Sequence, residues 1–181
     1  MRRLLLILGL IVLPAVTAVA ADWGQIRPAV TTQSDIRLRY GAPSSETAQK
    51  IEGYDTLQWL YDGAKAPTGM NKMIVDFGLL TPSGYRKDLV RTFRLEPKPD
   101  VFNRKLVVDG WGPPSRVGKE NDLEFFLYET GLLVYFRKDD DNEVVAMIFT
   151  PPQKLPPLSG TPPQRRRTKI CAGSTVGCSS T

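Results

Sequence analysis

The sequence has no histidine, and its two cysteines, Cys171 and Cys178, both lie late in its 181 residues. The first absence removes the commonest general base and the commonest metal ligand. The second leaves no Cys/His metal set in the body of the chain. In an oxidising compartment the two thiols can close a small loop within the tail or join another chain. Long hydrophobic runs are scarce too. The one at Leu4 to Leu13 is shorter than the roughly 20 apolar residues that a spanning helix needs, and Pro14 interrupts it. Basic charge is missing from the body. Without Arg2 and Arg3 the formal +5 becomes +3, residues 161–181 carry +4 from Arg165, Arg166, Arg167 and Lys169, and residues 21–160 are therefore −1. A nucleic-acid footprint needs basic residues clustered on a folded face, so a nucleic-acid partner is not expected.

Arg2 and Arg3, the apolar run and the small residues Ala18-Val19-Ala20 together have the pattern of a secretory signal peptide over residues 1–20. No cysteine stands at the cleavage point, so no lipid anchor is expected there. The expected product is periplasmic or secreted and soluble. From Pro151 onward proline pairs recur and arginines follow, which predicts a disordered, Pro/Arg-rich tail over residues 153–181. Its charge would attract an anionic surface weakly.

Between these ends a motif occurs twice. Tyr40-Gly41-Ala42-Pro43-Ser44 returns as Trp111-Gly112-Pro113-Pro114-Ser115, 71 positions later. Recurrence at a fixed offset signals a repeated structural unit. Thr32 is placed to cap a short helix, with Asp35 three residues on, and Ile36 and Tyr40 share one face of it. Gly41 and Pro43 stop that helix. Alternation then predicts strands at Thr56 to Tyr61, Lys72 to Phe77 and Leu89 to Glu96. Glu96-Pro97-Lys98-Pro99-Asp100 is expected to form a stiff hinge. Asp100 is the expected cap of a second helix, Val101 to about Asp109, before strands at Asp122 to Tyr128, Leu132 to Arg137 and Glu143 to Thr150. The expected fold class is α+β. It comprises a lead-in over residues 21–31, a first α-β-β-β unit over 32–97 and a second over 98–152, with helices packed on one face of antiparallel sheets.

The residues Ile36 to Tyr40, Gly41-Ala42-Pro43, Trp59-Leu60-Tyr61-Asp62 and Ile74-Val75-Asp76-Phe77 resemble the outer-membrane assembly lipoprotein family (SmpA/OmlA, BamE-like). So do Trp111-Gly112-Pro113, Phe125 to Tyr128 and Leu133 to Phe136 in the second unit. The tandem form is similar to that of the secreted β-lactamase inhibitor proteins. The resemblance implies a protein-binding surface without catalysis, whose partner is another envelope or extracellular protein.

Residue patterning points the same way. In the second unit both strand faces are apolar: Leu123, Phe125 and Leu127 oppose Phe126 and Tyr128, and Leu132, Val134 and Phe136 oppose Leu133 and Tyr135. One set can pack under a helix. The other needs a cover, supplied either by the first unit or by a partner. The partner-binding face is expected to comprise Trp59, Tyr61, Phe126, Tyr128, Leu133 and Tyr135. A small-ligand or cell-wall binding module using a cleft between the sheets is the alternative. No catalytic residue, cofactor or metal is expected. Ser44 and Ser115 have no base beside them, and the run Asp139-Asp140-Asp141 lacks the spacing, glycine and distal glutamate of a calcium loop.

Overall fold

The computed structural model describes residues 20–137 and 142–155. Residues 1–19 of the expected signal peptide, Asp139 to Asp141, both cysteines and nearly all of the expected tail lie outside these residues. In chain order the elements are α1 (Gln33–Tyr40), β1 (Ser45–Ile51), β2 (Tyr54–Asp62), β3 (Met70–Thr81), β4 (Gly84–Pro97), α2 (Arg104–Trp111), β5 (Arg116–Glu120), β6 (Leu123–Tyr128), β7 (Leu132–Phe136) and β8 (Val144–Phe149). All eight strands join one antiparallel sheet in the order β1-β2-β3-β4-β8-β7-β6-β5.

This corrects the expected fold class. The fold is mostly β, with one continuous sheet and two short helices, rather than an α+β pair of α-β-β-β units. Each helix precedes four strands, not three. The strands that the alternation signal missed are β1 and β5, the two edges of the sheet. β1 is Ser-Glu-Thr-Ala-Gln-Lys-Ile and exposed over most of its length; β5 is Arg-Val-Gly-Lys-Glu. An edge strand with little to bury shows no apolar alternation, and polar edges also discourage pairing with other chains. The halves meet because β4 pairs with β8, Phe93 opposite Phe149 and Arg94 opposite Ile148. Pro97, expected in a hinge, lies inside β4.

Both helices lie against one face of the sheet, hereafter the inner face. The capping box of Thr32 and Asp35 starts α1, and Gly41, at φ 75°, ends it. Eight residues make too short a helix to persist alone, so the burial of Ile36 among core side chains holds it in place. The start of α2 differs from expectation. Its N-cap is Asn103, whose side chain accepts from Leu106 N, and Asp100 instead occupies a left-handed turn position at φ 65°. Asparagine and aspartate both cap helices well, so only the backbone path distinguishes them.

Trp59, Tyr61, Met73, Val75, Phe77, Phe93, Leu95, Phe126, Tyr128, Leu132, Val134, Phe136, Met147 and Phe149 line the inner face as a single core. The rings of Phe93 and Phe149 stack at 4.3 Å across the β4–β8 seam. Each fully buried side chain of this size contributes on the order of 1.5–3 kcal/mol. The lead-in joins the core through Ile26 and ties the halves together. Ala21 N donates to Thr130 O in the β6–β7 turn, and Ala29 N donates to Val90 O in β4.

Candidate protein-binding face

The repeated motif serves the turns. Ser44 Oγ accepts from Asp62 N at 3.1 Å, and Ser115 Oγ accepts from Glu129 N at 3.2 Å. Tyr61 donates its hydroxyl to Gly41 O, and Tyr128 donates to Gly112 O, each at 3.1 Å. A helix end leaves carbonyls without intrahelical partners, and the residue beyond it must turn away. Here a buried tyrosine from the second strand of each half closes that turn. Burial pushes the Tyr61 hydroxyl up to about 12 and raises that of Tyr128 as well.

Of the six residues expected to form a partner face, four lie in the core. Trp59, Tyr61, Phe126 and Tyr128 are at most 5 % exposed and point toward the helices. Leu133 and Tyr135 lie on the opposite, outer face and are half-buried. The expected set therefore mixed two faces. Alternation within each strand was correct, but alternation does not give the register between strands. Phe126 pairs with Val134 and Tyr128 with Leu132, whereas Leu127 pairs with Leu133 and Phe125 with Tyr135. Displacing that pairing by one residue exchanges the faces. The three-residue loop Glu129-Thr130-Gly131 sets the register, and Gly131 cannot carry a side chain because a Cβ there would meet Thr150 O at 2.1 Å. The eight described strands form one sheet, so the described residues do not form two sheets with a cleft between them.

The residues that sequence reasoning left out of this face are Leu127, Phe125, Ile148 and Arg94. They follow from the register. One row crosses the whole outer face: Ser45, Leu60, Ile74, Arg94, Ile148, Leu133, Leu127 and Arg116, each opposite the next. The row is aliphatic at Leu60 and Ile74 in the first half and at Ile148, Leu133 and Leu127 in the second. Beside it Phe125 meets Tyr135 edge to face, centroids 6.0 Å apart. Phe125 also lies across Gly118 of the edge strand, where an added Cβ would fall 2.5 Å from the ring. No described helix covers this region.

Two hollows flank the row. One of about 280 Å³ is lined by Arg94, Glu120, Leu123, Tyr135 and Ile148 among others. The second, about 140 Å³, is lined by Leu127, Leu133, Ile148 and Thr150 among others. Tyr135 donates to Glu120 Oε2 at 2.5 Å, and Arg94 pairs with Glu96 at 3.1 Å. Burial pushes the Tyr135 hydroxyl up to about 12, and the bond to Glu120 adds to the effect because a phenolate could not donate it. The region thus has an apolar centre and a polar margin, which suits association better than bond-making chemistry. Among the described residues no group of three or more acids, cysteines or histidines is placed to hold a metal ion. No described helix is long and apolar enough to cross a membrane.

The fold and this face define a mostly-β, single-sheet protein with one half-exposed apolar surface. No protein-family model matches the chain. No curated protein matches it either. Among solved structures, the crystal structure of a DUF4309 family protein (YjgB) from Bacillus subtilis is similar at 12% identity and a TM-score of 0.45, over 71% of this chain and 83% of that one. The resemblance to the outer-membrane assembly lipoproteins thus rests on the motif residues alone.

Proposed function

We propose that this chain is a non-catalytic protein-binding module of the periplasm or extracellular space, and that it binds through the outer face of its second half. The observation that carries the reading is the aliphatic row Leu127–Leu133–Ile148 with Phe125 and Tyr135 beside it, half-exposed and bordered by Arg94 and Glu120. A sheet face that is not needed for folding is ordinarily polar in water. Apolar side chains gathered at its centre lower the cost of desolvation when a partner docks, and charged margins select the orientation. The partner that fits is another protein with an apolar ridge and its own polar border, of the envelope-assembly or inhibitor-target kind. The export pattern at residues 1–20 supplies the compartment.

The test pairs Leu127→Thr plus Leu133→Thr with a control on the first half's outer face, Thr47→Ala plus Gln49→Ala. Threonine keeps β propensity while removing apolar area. The expected result is an envelope protein retained by the wild type and the control but lost by the Leu variant, with direct binding reproduced from purified components. Equal retention by all three would exclude the face. Self-association in sedimentation that disappears in the Leu variant would make the partner a second copy instead. N-terminal sequencing of exported protein tests the compartment, since an intact Met1 would overturn it.

A further inference from the structure

On one side the sheet ends in the five residues of β5, Arg116-Val117-Gly118-Lys119-Glu120, and among the described residues no strand pairs with the free side of β5. An edge strand carries backbone donors and acceptors on that side, and charged side chains ordinarily discourage another chain from taking them. The charges of β5 are arranged symmetrically, which changes their effect. Arg116 and Glu120 have opposite signs and each stands two residues from Gly118. Both are on the outer face, opposite Leu127 and Leu123 of β6. On the inner face Val117 and Lys119 each stand one residue from Gly118, and Val117 is 54 % exposed. The ring of Phe125 lies over Gly118, where an added Cβ would fall 2.5 Å from it.

We propose that β5 pairs antiparallel with β5 of a second copy of this chain, about a twofold axis through Gly118, so that the sheet continues from one copy into the other. In that register Arg116 faces the partner's Glu120, and Glu120 faces the partner's Arg116. The contact occurs twice, as in any isologous interface. Opposite charges directly across an antiparallel pair attract, and like charges repel. A guanidinium has several donors and a carboxylate several acceptor sites, so both residues can keep their contacts within the chain, including the bond from Tyr135 to Glu120 Oε2. Parallel pairing in register would set Arg116 against the partner's Arg116, and any antiparallel offset would part Arg116 from the partner's Glu120. The charges therefore select one register and oppose the others.

Burial adds to the charge match. Val117 faces the partner's Lys119, whose alkyl stem can lie across it while the ammonium stays in water. A residue on the axis faces itself, and glycine there leaves no side chain to clash. Neighbouring strands lie about 4.8 Å apart, so the two Phe125 rings, each over its own Gly118, come into contact above the axis. The opposite edge, β1, presents Thr47, Ala48 and Gln49 about its midpoint and gains no such apolar contact. Leu127 and Leu133 take no part in the pairing, so the proposal does not rest on the protein-binding reading.

Sedimentation of the full chain up to millimolar concentration tests this, with a reductant present so that Cys171 and Cys178 cannot link chains. A five-residue contact predicts a weak, reversible dimer that added salt weakens further. Concentration-dependent ¹⁵N amide shifts are expected at Val117, Gly118 and Lys119 and not at Thr47 or Gln49. Arg116→Glu and Glu120→Arg should each weaken the dimer at least about tenfold, because each change counts twice and replaces attraction with repulsion. The double variant, Arg116→Glu plus Glu120→Arg, should recover association, which excludes loss of fold as the cause of the single effects. Leu127→Thr plus Leu133→Thr should dimerise as the wild type does. A wild-type chain that stays monomeric, shifts confined to other residues, single reversals that leave the dimer intact, a monomeric double variant, or association lost in the Leu variant would each overturn the proposal.

Discussion

The two halves of the sheet treat their inner faces alike and their outer faces differently. On the inner face each half has a tyrosine that donates to the glycine carbonyl after its helix. Each also has a lead-in that pairs with its own fourth strand: Thr32 with Leu89 in the first, and Asn103 with Glu143, immediately before β8, in the second. On the outer face both halves carry an aliphatic pair, Leu60 opposite Ile74 in the first and Leu127 opposite Leu133 in the second, but beside it the first half presents polar groups that satisfy one another. Asp76 accepts from Gln58 Nε2 at 2.8 Å and from Thr92 Oγ1 at 3.0 Å, and Glu96 lies between Lys72 and Arg94. Beside its pair the second half presents Phe125 opposite Tyr135, with Ile148 next to Leu133. Shared devices on one face are what one folding unit used twice requires. The divergence on the other face is free of that requirement, so it is where the halves can differ in what they bind.

The largest expected effect tests whether the halves form one body at all. Phe93 is fully buried and stacks on Phe149 across the seam. Phe93→Ala should cost about 3–5 kcal/mol through lost burial and the cavity left behind. Urea unfolding followed by fluorescence and by circular dichroism should still show one coincident transition, moved to lower urea. Two separated transitions would mean that the halves fold independently and that the seam is only a contact.

Much of the inner-face likeness was legible in the residues. The spacing of the two motifs, the Thr32–Asp35 cap, the glycine stops and the alternation of β2, β3, β6, β7 and β8 all express local constraints on backbone and burial. The continuous sheet was not legible, because the pairing of β4 with β8 is a long-range match between strands with no local signal for each other. The edges β1 and β5 were hidden by their polarity. The outer face was half legible: its apolar side chains were recognised as needing a cover, but Phe126 and Tyr128 were grouped with Leu133 and Tyr135. A one-residue difference in register decides that grouping, and no composition or period encodes it.

A smaller effect tests the inner-face likeness directly. Tyr61→Phe and Tyr128→Phe each delete one hydroxyl and leave a glycine carbonyl without that donor. Each should cost about 1 kcal/mol, the net worth of such a bond. The two losses should agree within experimental scatter and add in the double variant, since the sites are in different halves. A neutral Tyr128→Phe beside a costly Tyr61→Phe would break the equivalence of the two turns.

The smallest effect separates two tyrosines with similar titration but different causes. Tyr61 and Tyr135 are both pushed up to about 12, Tyr61 by burial on the inner face and Tyr135 by burial and Glu120 on the outer face. The folded state therefore holds these protons after the unfolded chain has lost them near pH 10. Their contribution to stability is complete below about pH 10 and is lost as pH rises toward about 12, because the unfolded state binds fewer protons over that window. Ultraviolet absorbance of tyrosinate should follow the two ionisations, with Tyr61→Phe and Tyr135→Phe assigning them. Glu120→Gln should bring the Tyr135 transition to lower pH and leave that of Tyr61 in place, because a neutral amide accepts the phenol hydrogen more weakly and does not repel the phenolate. If both transitions moved together, the two faces would be electrostatically coupled through the sheet, and the separation drawn between a shared inner face and an individual outer face would fail at this point.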